Sequence, residues 1–415
     1  MTAAYEITAG FIPLLDSALL VAASAKGFAE AENVALTLVR ETSWANIRDR
    51  IAVGHFQVAH ILAPMPIACN LGLTPFASRM IAPMALGLGG NAITASKALW
   101  EKMAEFGATS DMEPRSAGAA LARVIAARRT HSAPPLRFAV VHPHSAHNYE
   151  LRYWLAACGI DPEEDVEIVI VPPPMMTAAL NDGSIDGYCV GEPWNTAAAL
   201  SGTGHIATTK AAIWKSSPEK VLGADADWAM ANPEALAALL RAIYRAAQWC
   251  ADVNNHAELA ALLAGADYVG TPQEWILPAL SGVMGSAEGR TIRVEDFFVP
   301  LAKAATFPWK SHALWFYSQM VRWGQVPHTP ANQAVARDTY RPDLYRSALV
   351  PLGASLPGAN MKVEGALREE TFVGASGANL LLGPDGFFDD KVFDPERIEA
   401  YISDQTSCDQ HLGAR

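Results

Sequence analysis

The segment Asp186–Asn195 combines residues that can hold a small anion. It reads DGYCVGEPWN: a short apolar strand, a glycine, and a Glu-Pro-Trp-Asn sequence that opens a predicted helix. Open α/β sheets bind small ligands where strand ends lead into helices, and the backbone N–H groups of such a helix start favour an anion. His147 upstream and Lys220 downstream offer further donors. This combination indicates a receptor for a small anion rather than a catalyst.

Three polar side chains near predicted strand ends can line one cleft. Trp44 offers an indole N–H and an aromatic wall. His147 lies in the first turn of a helix for which Ser145 is a possible N-cap. Lys220 lies in a predicted loop, from which it can reach the cleft as a point charge. Three or four hydrogen bonds of roughly 1.5–3 kcal/mol each give about 8 kcal/mol, which corresponds to micromolar affinity.

Each candidate also has a structural interpretation that the sequence leaves open. Trp44 fits ordinary core packing, and His147 fits a structural or solvated histidine. Lys220 follows an acidic residue and fits a solvated loop charge. Glu192 can simply cap the helix that follows it, and the prolines Pro172–Pro174 can simply end a strand.

The sequence lacks the common catalytic and cofactor motifs. It has no nucleophile elbow and no P-loop, and the glycines of Gly87–Ala92 lack the third glycine of a dinucleotide fingerprint. His142, His144 and His147 have no acidic partner at the spacing of a metal site. The five cysteines are an odd number without CxxC spacing, which fits neither a disulfide framework nor a zinc site. We therefore predict no enzyme activity, no cofactor and no metal.

Composition and charge bound the size of the protein and its partners. The chain has 415 residues, 51% hydrophobic and 18% charged, so it is long enough for two domains with large cores. Its net charge of -12 argues against nucleic acid or an acidic membrane as a direct partner. A strand-like segment stands at the N-terminus in place of a leader peptide, and no stretch has the roughly 18 apolar residues of a membrane span. We expect a soluble, cytoplasmic protein, with a transport protein trimmed of its leader as the alternative.

Strands and helices alternate in two parts of the chain, which is typical of parallel α/β sheets with right-handed crossovers. The predicted strands are Tyr5–Ile12, Val34–Arg40 and Phe56–Leu62, then Leu136–Val141, Val166–Val171 and Ile185–Val190. Gly87–Gly90 marks the first crossing between the two series, and His205–Lys210 begins the return. The pattern predicts lobe 1 at residues 1–88 and 200–340, lobe 2 at 89–199, and a C-terminal extension at 341–415 packed on the lobes.

Five segments resemble the nitrate- and bicarbonate-binding protein family: ETSWANIRDRI (Glu41–Ile51), AHILAPMP (Ala59–Pro66), LRYWLAACGIDPEEDVEIVIVPPPMM (Leu151–Met176), DGYCVGEPWN (Asp186–Asn195) and WKSSPEKVLG (Trp214–Gly223). The family supplies the ligand-binding components of ABC transporters for nitrate, nitrite, cyanate and bicarbonate. The resemblance spans Tyr5 to Trp323. It implies an α/β fold of the periplasmic-binding-protein type II (Venus flytrap), with two doubly wound lobes and a ligand cleft between them. A pyrimidine synthase shares that fold, but this chain lacks a cysteine-rich iron-site segment.

The resemblance also implies roles for individual residues. The polar contacts to the anion fall on Trp44, Asn91, His147 and Lys220. The apolar walls of the pocket fall on Leu62, Pro173 and Val190. The family more often has Gln where this chain has Asn91, and the shorter amide implies a less direct contact or a different oxyanion.

Within the family, the chain resembles the cytoplasmic nitrate/nitrite sensors of the NasS type. That resemblance implies nitrate or nitrite as ligand and an ANTAR-type antiterminator protein as partner. The sensor would hold the RNA-binding antiterminator inactive and release it when the anion binds. The alternative is the substrate-binding component of a nitrate/bicarbonate ABC transporter, and the sequence leaves the choice among nitrate, nitrite and bicarbonate open.

Overall fold

The structure of the protein is a computed structural model that describes residues 4–285, 289–376 and 379–413. Its strands are β1 Tyr5–Phe11, β2 Val34–Arg40, β3 Val58–Leu62, β4 Met80–Ala85, β5 Leu88–Gly89, β6 Asn91–Ser96, β7 Leu136–Val140, β8 Val166–Ile170, β9 Gly187–Gly191, β10 Gly204–Thr209, β11 Lys220–Asp225, β12 Val283–Gly285, β13 Thr291–Arg293, β14 Phe298–Val299, β15 Leu356–Pro357, β16 Thr371–Val373, β17 Ala375–Ser376 and β18 Leu380–Leu382.

The helices of the same described ranges are α1 Ala18–Ala25, α2 Phe28–Ala31, α3 Trp44–Ala52, α4 Met65–Asn70, α5 Lys97–Glu105, α6 Pro114–Thr130, α7 Ala146–Ala157, α8 Met176–Asn181, α9 Trp194–Ser201, α10 Lys210–Ile213, α11 Ala226–Ala231, α12 Pro233–Ala251, α13 His256–Leu263, α14 Gln273–Ser281, α15 Lys310–Arg322, α16 Pro330–Thr339, α17 Pro342–Leu349 and α18 Ile398–Gly413. Of these helices, none combines the length and the apolar character needed to cross a membrane.

Two five-stranded sheets form the centres of two lobes, and both have the same arrangement. The first sheet has the order β2-β1-β3-β11-β4, and the second has the order β8-β7-β9-β6-β10. In each sheet four strands run parallel to one another and one runs antiparallel, namely β11 in the first and β6 in the second. Each antiparallel strand is the first strand that the chain forms after it crosses from one lobe to the other. The two crossings therefore lead into equivalent positions of the two sheets.

The structure corrects two features of the predicted architecture. The sheets are mixed rather than wholly parallel, and the sequence pattern missed β4 and the antiparallel β6. The predicted return to lobe 1 at residue 200 is too early, because β10 pairs with β6 in the second sheet. A strand's own sequence does not specify its partner, so the pattern could not assign β10 to a sheet.

Apolar strands and one amphipathic helix supply much of the core. All residues of β3 and β9 are buried, which explains why these strands are apolar rather than alternating. α12 packs against α1. It buries the predicted apolar face at Leu236, Leu239, Leu240 and Ile243.

Serine caps place two candidate binding residues at the ends of strands. The side chains of Ser43 and Ser145 accept backbone hydrogen bonds at the starts of α3 and α7, at 3.2 and 3.0 Å. These contacts confirm Ser145 as an N-cap. Trp44 and His147 therefore stand in first helical turns, just past β2 and β7.

The C-terminal segment contacts both lobes. The backbone N–H of Arg341 donates to the carbonyl of Ala82 in β4, at 3.0 Å. The hydroxyl of Tyr153 in α7 donates to the carboxylate of Asp389, at 2.9 Å. Residues 377–378 and 414–415 of the predicted extension lie outside the described residues.

Candidate functional site

Two antiparallel segments join the lobes and place the starts of β6 and β11 side by side. In the first crossing, the N–H groups of Leu86 and Gly89 donate to the carbonyls of Lys220 and Ser217 in the return segment, at 2.9 and 3.0 Å. Gly89 has a φ of 74°, and a Cβ there would lie 2.1 Å from the carbonyl oxygen of Phe297. Only glycine fits that position. The backbone therefore fixes where the side chains of Asn91 and Lys220 begin.

A buried polar cluster surrounds these two segments, and we call it the hinge cluster. Its side chains are at most 3% exposed and come from β1–α1, β3, β6, α7, α10 and the return segment: Asp16, His60, Asn91, His147, Glu150, Lys210, Glu219 and Lys220. Trp44 adjoins the cluster, with its ring centroid 5.4 Å from that of His60. Both sheets therefore contribute to one polar site between the lobes.

Lys220 lies between two carboxylates and an indole ring. Its ammonium donates to Asp16 Oδ2 at 2.8 Å and to Glu219 Oε1. It also lies 5.2 Å from the ring centroid of Trp44. An ammonium carries three N–H groups, so one donor remains beyond these two partners among the described residues.

Glu219 links the two crossing segments through its carboxylate. Its Oε2 accepts from Asn91 Nδ2 at 2.5 Å and from Lys210 Nζ at 2.7 Å. Its Oε1 lies 3.2 Å from His147 Nε2, outside hydrogen-bond geometry. Lys210 also lies 2.8 Å from Glu150 Oε1. The carboxylate of Glu219 thus contacts groups from both lobes.

Several polar atoms at this site have no hydrogen-bond partner among the described residues. They are Trp44 Nε1, both ring nitrogens of His147, Asn91 Oδ1 and both carboxylate oxygens of Glu150. Leaving one buried donor unsatisfied costs about 1–3 kcal/mol, and native proteins rarely tolerate it without a ligand or water. Trp44 and His147 therefore have unused capacity to bind a polar ligand.

Burial determines the charge of two members of the cluster. It lowers the pKa of His147 to about 3. It raises the pKa of Glu150 to about 8, although Lys210 opposes the shift. His147 is therefore uncharged at neutral pH, and burial favours the protonated form of Glu150.

The other carboxylates stay ionised because cations surround them. Burial acts to raise the pKa of Asp16, but Lys220 leads the neighbours that outweigh burial and bring this pKa to about 2. Burial also acts to raise the pKa of Glu219, and the ammonium groups of Lys210 and Lys220 hold that pKa well below its ordinary value. The two lysines therefore balance two carboxylates within the hinge cluster.

The structure brings together the four polar residues that the family resemblance implied. The ammonium of Lys220 lies over the ring of Trp44. Asn91 donates a hydrogen bond to the carboxylate of Glu219, and the ring of His147 lies beside the same carboxylate. Lys220 is fully buried and begins β11, so its predicted position in a loop is wrong. The Pro-Glu sequence before Lys220 is typical of a loop, which is why the prediction placed Lys220 in one. Lys220 can be buried because Asp16, which lies far away in sequence, helps to neutralise it.

The predicted walls occupy different places relative to the cluster. Leu62 is buried and lies opposite Lys220 in the pairing of β3 with β11. Val190 is buried on β9 opposite Ala92, next to the start of β6. Pro173 is buried in a short 3-10 helix after β8, the edge strand of the second sheet.

Sequence reasoning missed five members of the hinge cluster: Asp16, His60, Glu150, Lys210 and Glu219. The available signal was a charged or polar residue within an apolar segment, as at His60 in VAHIL. Such residues need buried partners. The partners lie in distant segments, so the sequence could not name them.

Glu192 adjoins the cluster and caps a helix, as one interpretation of the sequence proposed. Its Oε2 accepts from the backbone N–H of Thr196 at 3.1 Å. Its backbone carbonyl accepts from Leu15 in the other lobe at 2.9 Å. Burial raises the pKa of Glu192 to about 7.

A cavity of about 870 Å³ opens elsewhere on the surface, and its lining includes Arg79, Asp227 and Arg341. Arg79 and Asp227 form an exposed ion pair at 3.3 Å. Exposed pairs of this kind contribute little free energy. The hinge cluster is the better candidate because its donors are buried and not fully used. No group of three or more His, Cys, Asp or Glu side chains within the described ranges is arranged to hold a metal ion.

Comparison with known proteins identifies the family. The profile of the NMT1-like family matches residues 3–264. The chain belongs to the NMT1-like family. One relative, the nitrate/nitrite binding protein NrtA of Synechococcus elongatus, is 36% identical over 406 residues, which cover 95% of this chain and 85% of NrtA.

A solved structure shows the same fold. The crystal structure of the periplasmic nitrate-binding protein NrtA from Synechocystis PCC 6803 matches with a TM-score of 0.84 and 28% identity, covering 96% of this chain and 98% of that one. The bicarbonate-binding protein CmpA of Synechococcus sp. is 27% identical over 414 residues, 95% of this chain and 85% of CmpA. The NMT1-like chain thus lies among nitrate- and bicarbonate-binding proteins, which are not enzymes, and the predicted two-lobed type II fold is confirmed.

Proposed function

We propose that this protein binds nitrate or nitrite between its two lobes. One observation carries the proposal: Trp44 and His147 have unpartnered, buried nitrogens, and the partly used ammonium of Lys220 lies beside them. These donors come from both lobes. The names of the relatives NrtA and CmpA support a small planar oxyanion as the ligand.

The energetics agree with a reversible receptor. Three hydrogen bonds to a charged ligand, at roughly 1.5–3 kcal/mol each, supply about the 8 kcal/mol of micromolar binding. A ligand held by both lobes binds the closed form better than the open form. A hundredfold difference in affinity shifts that equilibrium by about 2.7 kcal/mol.

Asn91 has an indirect role in this proposal. Its Nδ2 donates to Glu219, and its free Oδ1 is an acceptor that repels an anion. Asn91 therefore positions Glu219 instead of donating to the ligand. Leu62, Pro173 and Val190 serve as the apolar walls.

Isothermal titration calorimetry with nitrate, nitrite and bicarbonate tests the ligand. We expect micromolar binding of nitrate or nitrite, with bicarbonate weaker. A folded protein that binds none of the three anions would overturn the proposal.

The proposal extends to a biological role as a cytoplasmic sensor of nitrate assimilation. In this role, lobe closure on nitrate or nitrite weakens contact with an ANTAR-type antiterminator protein. The resemblance of the sequence to NasS-type sensors supports this role. Co-purification with the antiterminator, with and without nitrate, tests it: we expect a complex that nitrate or nitrite dissociates.

The second candidate role is the substrate-binding component of a nitrate/bicarbonate ABC transporter. The similarity to the periplasmic nitrate-binding protein NrtA from Synechocystis PCC 6803 favours this role. Cell fractionation and affinity purification distinguish the two roles. Recovery with a permease outside the cytoplasm supports transport, and recovery with an antiterminator inside it supports sensing.

A further inference from the structure

The carboxylate of Glu219 lies against the donors that the proposed anion would use. Its Oε1 accepts from the ammonium of Lys220 and lies 3.2 Å from His147 Nε2. A carboxylate and a nitrate ion are both planar groups whose oxygens share a negative charge. Glu219 thus presents to Lys220 and His147 the same kind of oxygen that the ligand would present.

We propose that Glu219 is an internal competitor of the anion, which displaces its Oε1 from Lys220 and His147 on binding. The inference rests on the proposed function, because it assumes that an oxyanion binds at these donors. In this role Glu219 lowers the affinity of the protein for the anion, in addition to what the ligand contacts themselves contribute.

The surroundings of Glu219 allow such an exchange without leaving its charge unpaired. Its other oxygen, Oε2, accepts from Asn91 at 2.5 Å and from Lys210 at 2.7 Å. Those two donors are separate from the proposed ligand contacts. The carboxylate can therefore leave Lys220 while Asn91 and Lys210 retain it.

Charge balance explains why Glu219 opposes binding. Lys210 and Lys220 are matched by the carboxylates of Asp16 and Glu219. A bound anion adds a negative charge to a buried site whose cations are already neutralised, and like charges repel strongly in such surroundings. Glu219 therefore moves the working range of the receptor to higher anion concentration.

Glu219→Gln tests the proposal, because glutamine keeps the shape and an acceptor oxygen but removes the charge. We expect the dissociation constant for nitrate to fall by about tenfold or more, measured by calorimetry. A folded variant with an unchanged or larger dissociation constant would assign Glu219 a purely structural role and overturn the inference.

Glu364→Gln is the matched control. Glu364 is also fully buried between a lysine, Lys362, and a histidine, His312, but lies in the C-terminal part of the chain. We expect it to lower stability and leave nitrate affinity unchanged. An equal gain in affinity in both variants would show a general charge effect and overturn the specific role of Glu219.

Infrared difference spectroscopy on the wild-type protein keeps the test independent of any variant's folding. With glutamate labelled by carbon-13, nitrate should shift the carboxylate stretching band of a glutamate that loses its contact with an ammonium. Nitrate binding without such a shift contradicts the inference and leaves the proposed function intact. Failure of wild-type and Glu219→Gln proteins alike to bind nitrate or nitrite contradicts the proposed function itself.

Discussion

Two buried clusters in this molecule contain the same kinds of side chain but differ in where those side chains come from. In the hinge cluster, Lys220 lies between Asp16 and Glu219, and His147 adjoins Glu219. The second, which we call the C-terminal cluster, consists of the buried residues Ser311, His312, Glu364 and Asp385 together with Lys362, whose side chain is 16% exposed. Its lysine likewise pairs with two carboxylates, one of them at 2.6 Å, and its histidine lies 3.4 Å from one of them.

The comparison teaches that an unpartnered buried nitrogen does not by itself mark a binding site. His312 and Trp214, whose rings lie 5.8 Å apart, have unpartnered nitrogens just as His147 and Trp44 do. The C-terminal cluster draws on one part of the chain, whereas the hinge cluster gathers side chains from both lobes and both crossings. The proposed movement of the lobes would open the hinge cluster to a ligand, and this difference is the reason why we propose anion binding there.

Substitution of the lysine in each cluster should give the largest difference in nitrate affinity between the two clusters. Lys220→Met removes a charged donor and leaves buried carboxylates unpaired, so we expect nitrate binding to weaken by about 100-fold or more. Lys362→Met also leaves carboxylates unpaired and should lower the melting temperature, but with nitrate affinity within about twofold of wild type. Calorimetry and thermal denaturation measure both; equal losses of affinity would contradict the distinction.

The pH dependence of stability should have opposite signs at two carboxylates. The raised pKa of Glu192, about 7 against 4.5 when unfolded, gives a contribution that is complete below pH 4.5 and lost as pH rises through 7. Glu192→Gln should therefore raise the free energy of unfolding at pH 8 by on the order of 2–3 kcal/mol.

The carboxylate of Glu364 provides the contrast. Burial acts to raise the pKa of Glu364, but Lys362 and His312 bring it to about 2, so its contribution is present above pH 4.5 and lost as pH falls through 2. Glu364→Gln should lower the free energy of unfolding at pH 8. Urea denaturation between pH 4.5 and 8 measures both variants, and a common sign would refute the assignment.

Substitution of the histidine in each cluster should give an effect on nitrate affinity that is smaller than that of the lysine. His147→Ala should weaken nitrate binding by about 30-fold through loss of a donor. His312→Ala should leave the affinity unchanged, although both variants lose a buried ring. A loss of affinity in the His312 variant comparable to that in the His147 variant would remove the special role of the hinge.

The two indoles provide the most conservative comparison. Trp44→Phe keeps an aromatic wall but removes the N–H, so we expect nitrate affinity to fall by about tenfold. Trp214→Phe removes an equally unpartnered N–H next to the C-terminal cluster and should have no effect on calorimetric affinity. Unchanged binding by the Trp44 variant would exclude the indole as a ligand donor.

Local patterns predicted much of the fold. The alternation of Val34–Arg40 gave β2 with its observed bounds, and Ser145 was identified as a cap. Both signals depend on residues close together in the chain. β6 escaped prediction because its short sequence at Asn91–Ser96 follows a glycine-rich crossing, and only its neighbours β9 and β10 make it a central strand.

The sequence by itself predicted the alternating elements and the family, and the family resemblance implied the four polar residues Trp44, Asn91, His147 and Lys220. Only the tertiary structure decided that Lys220 is buried and that Glu219 and Asp16 neutralise it. The physical reason is range: periodicity and capping act over a few residues, whereas a buried charge is stabilised by whichever opposite charges the fold brings to it. Asp16 and Lys220 are 204 positions apart, and only the sheet order, in which β3 lies between β1 and β11, brings them together.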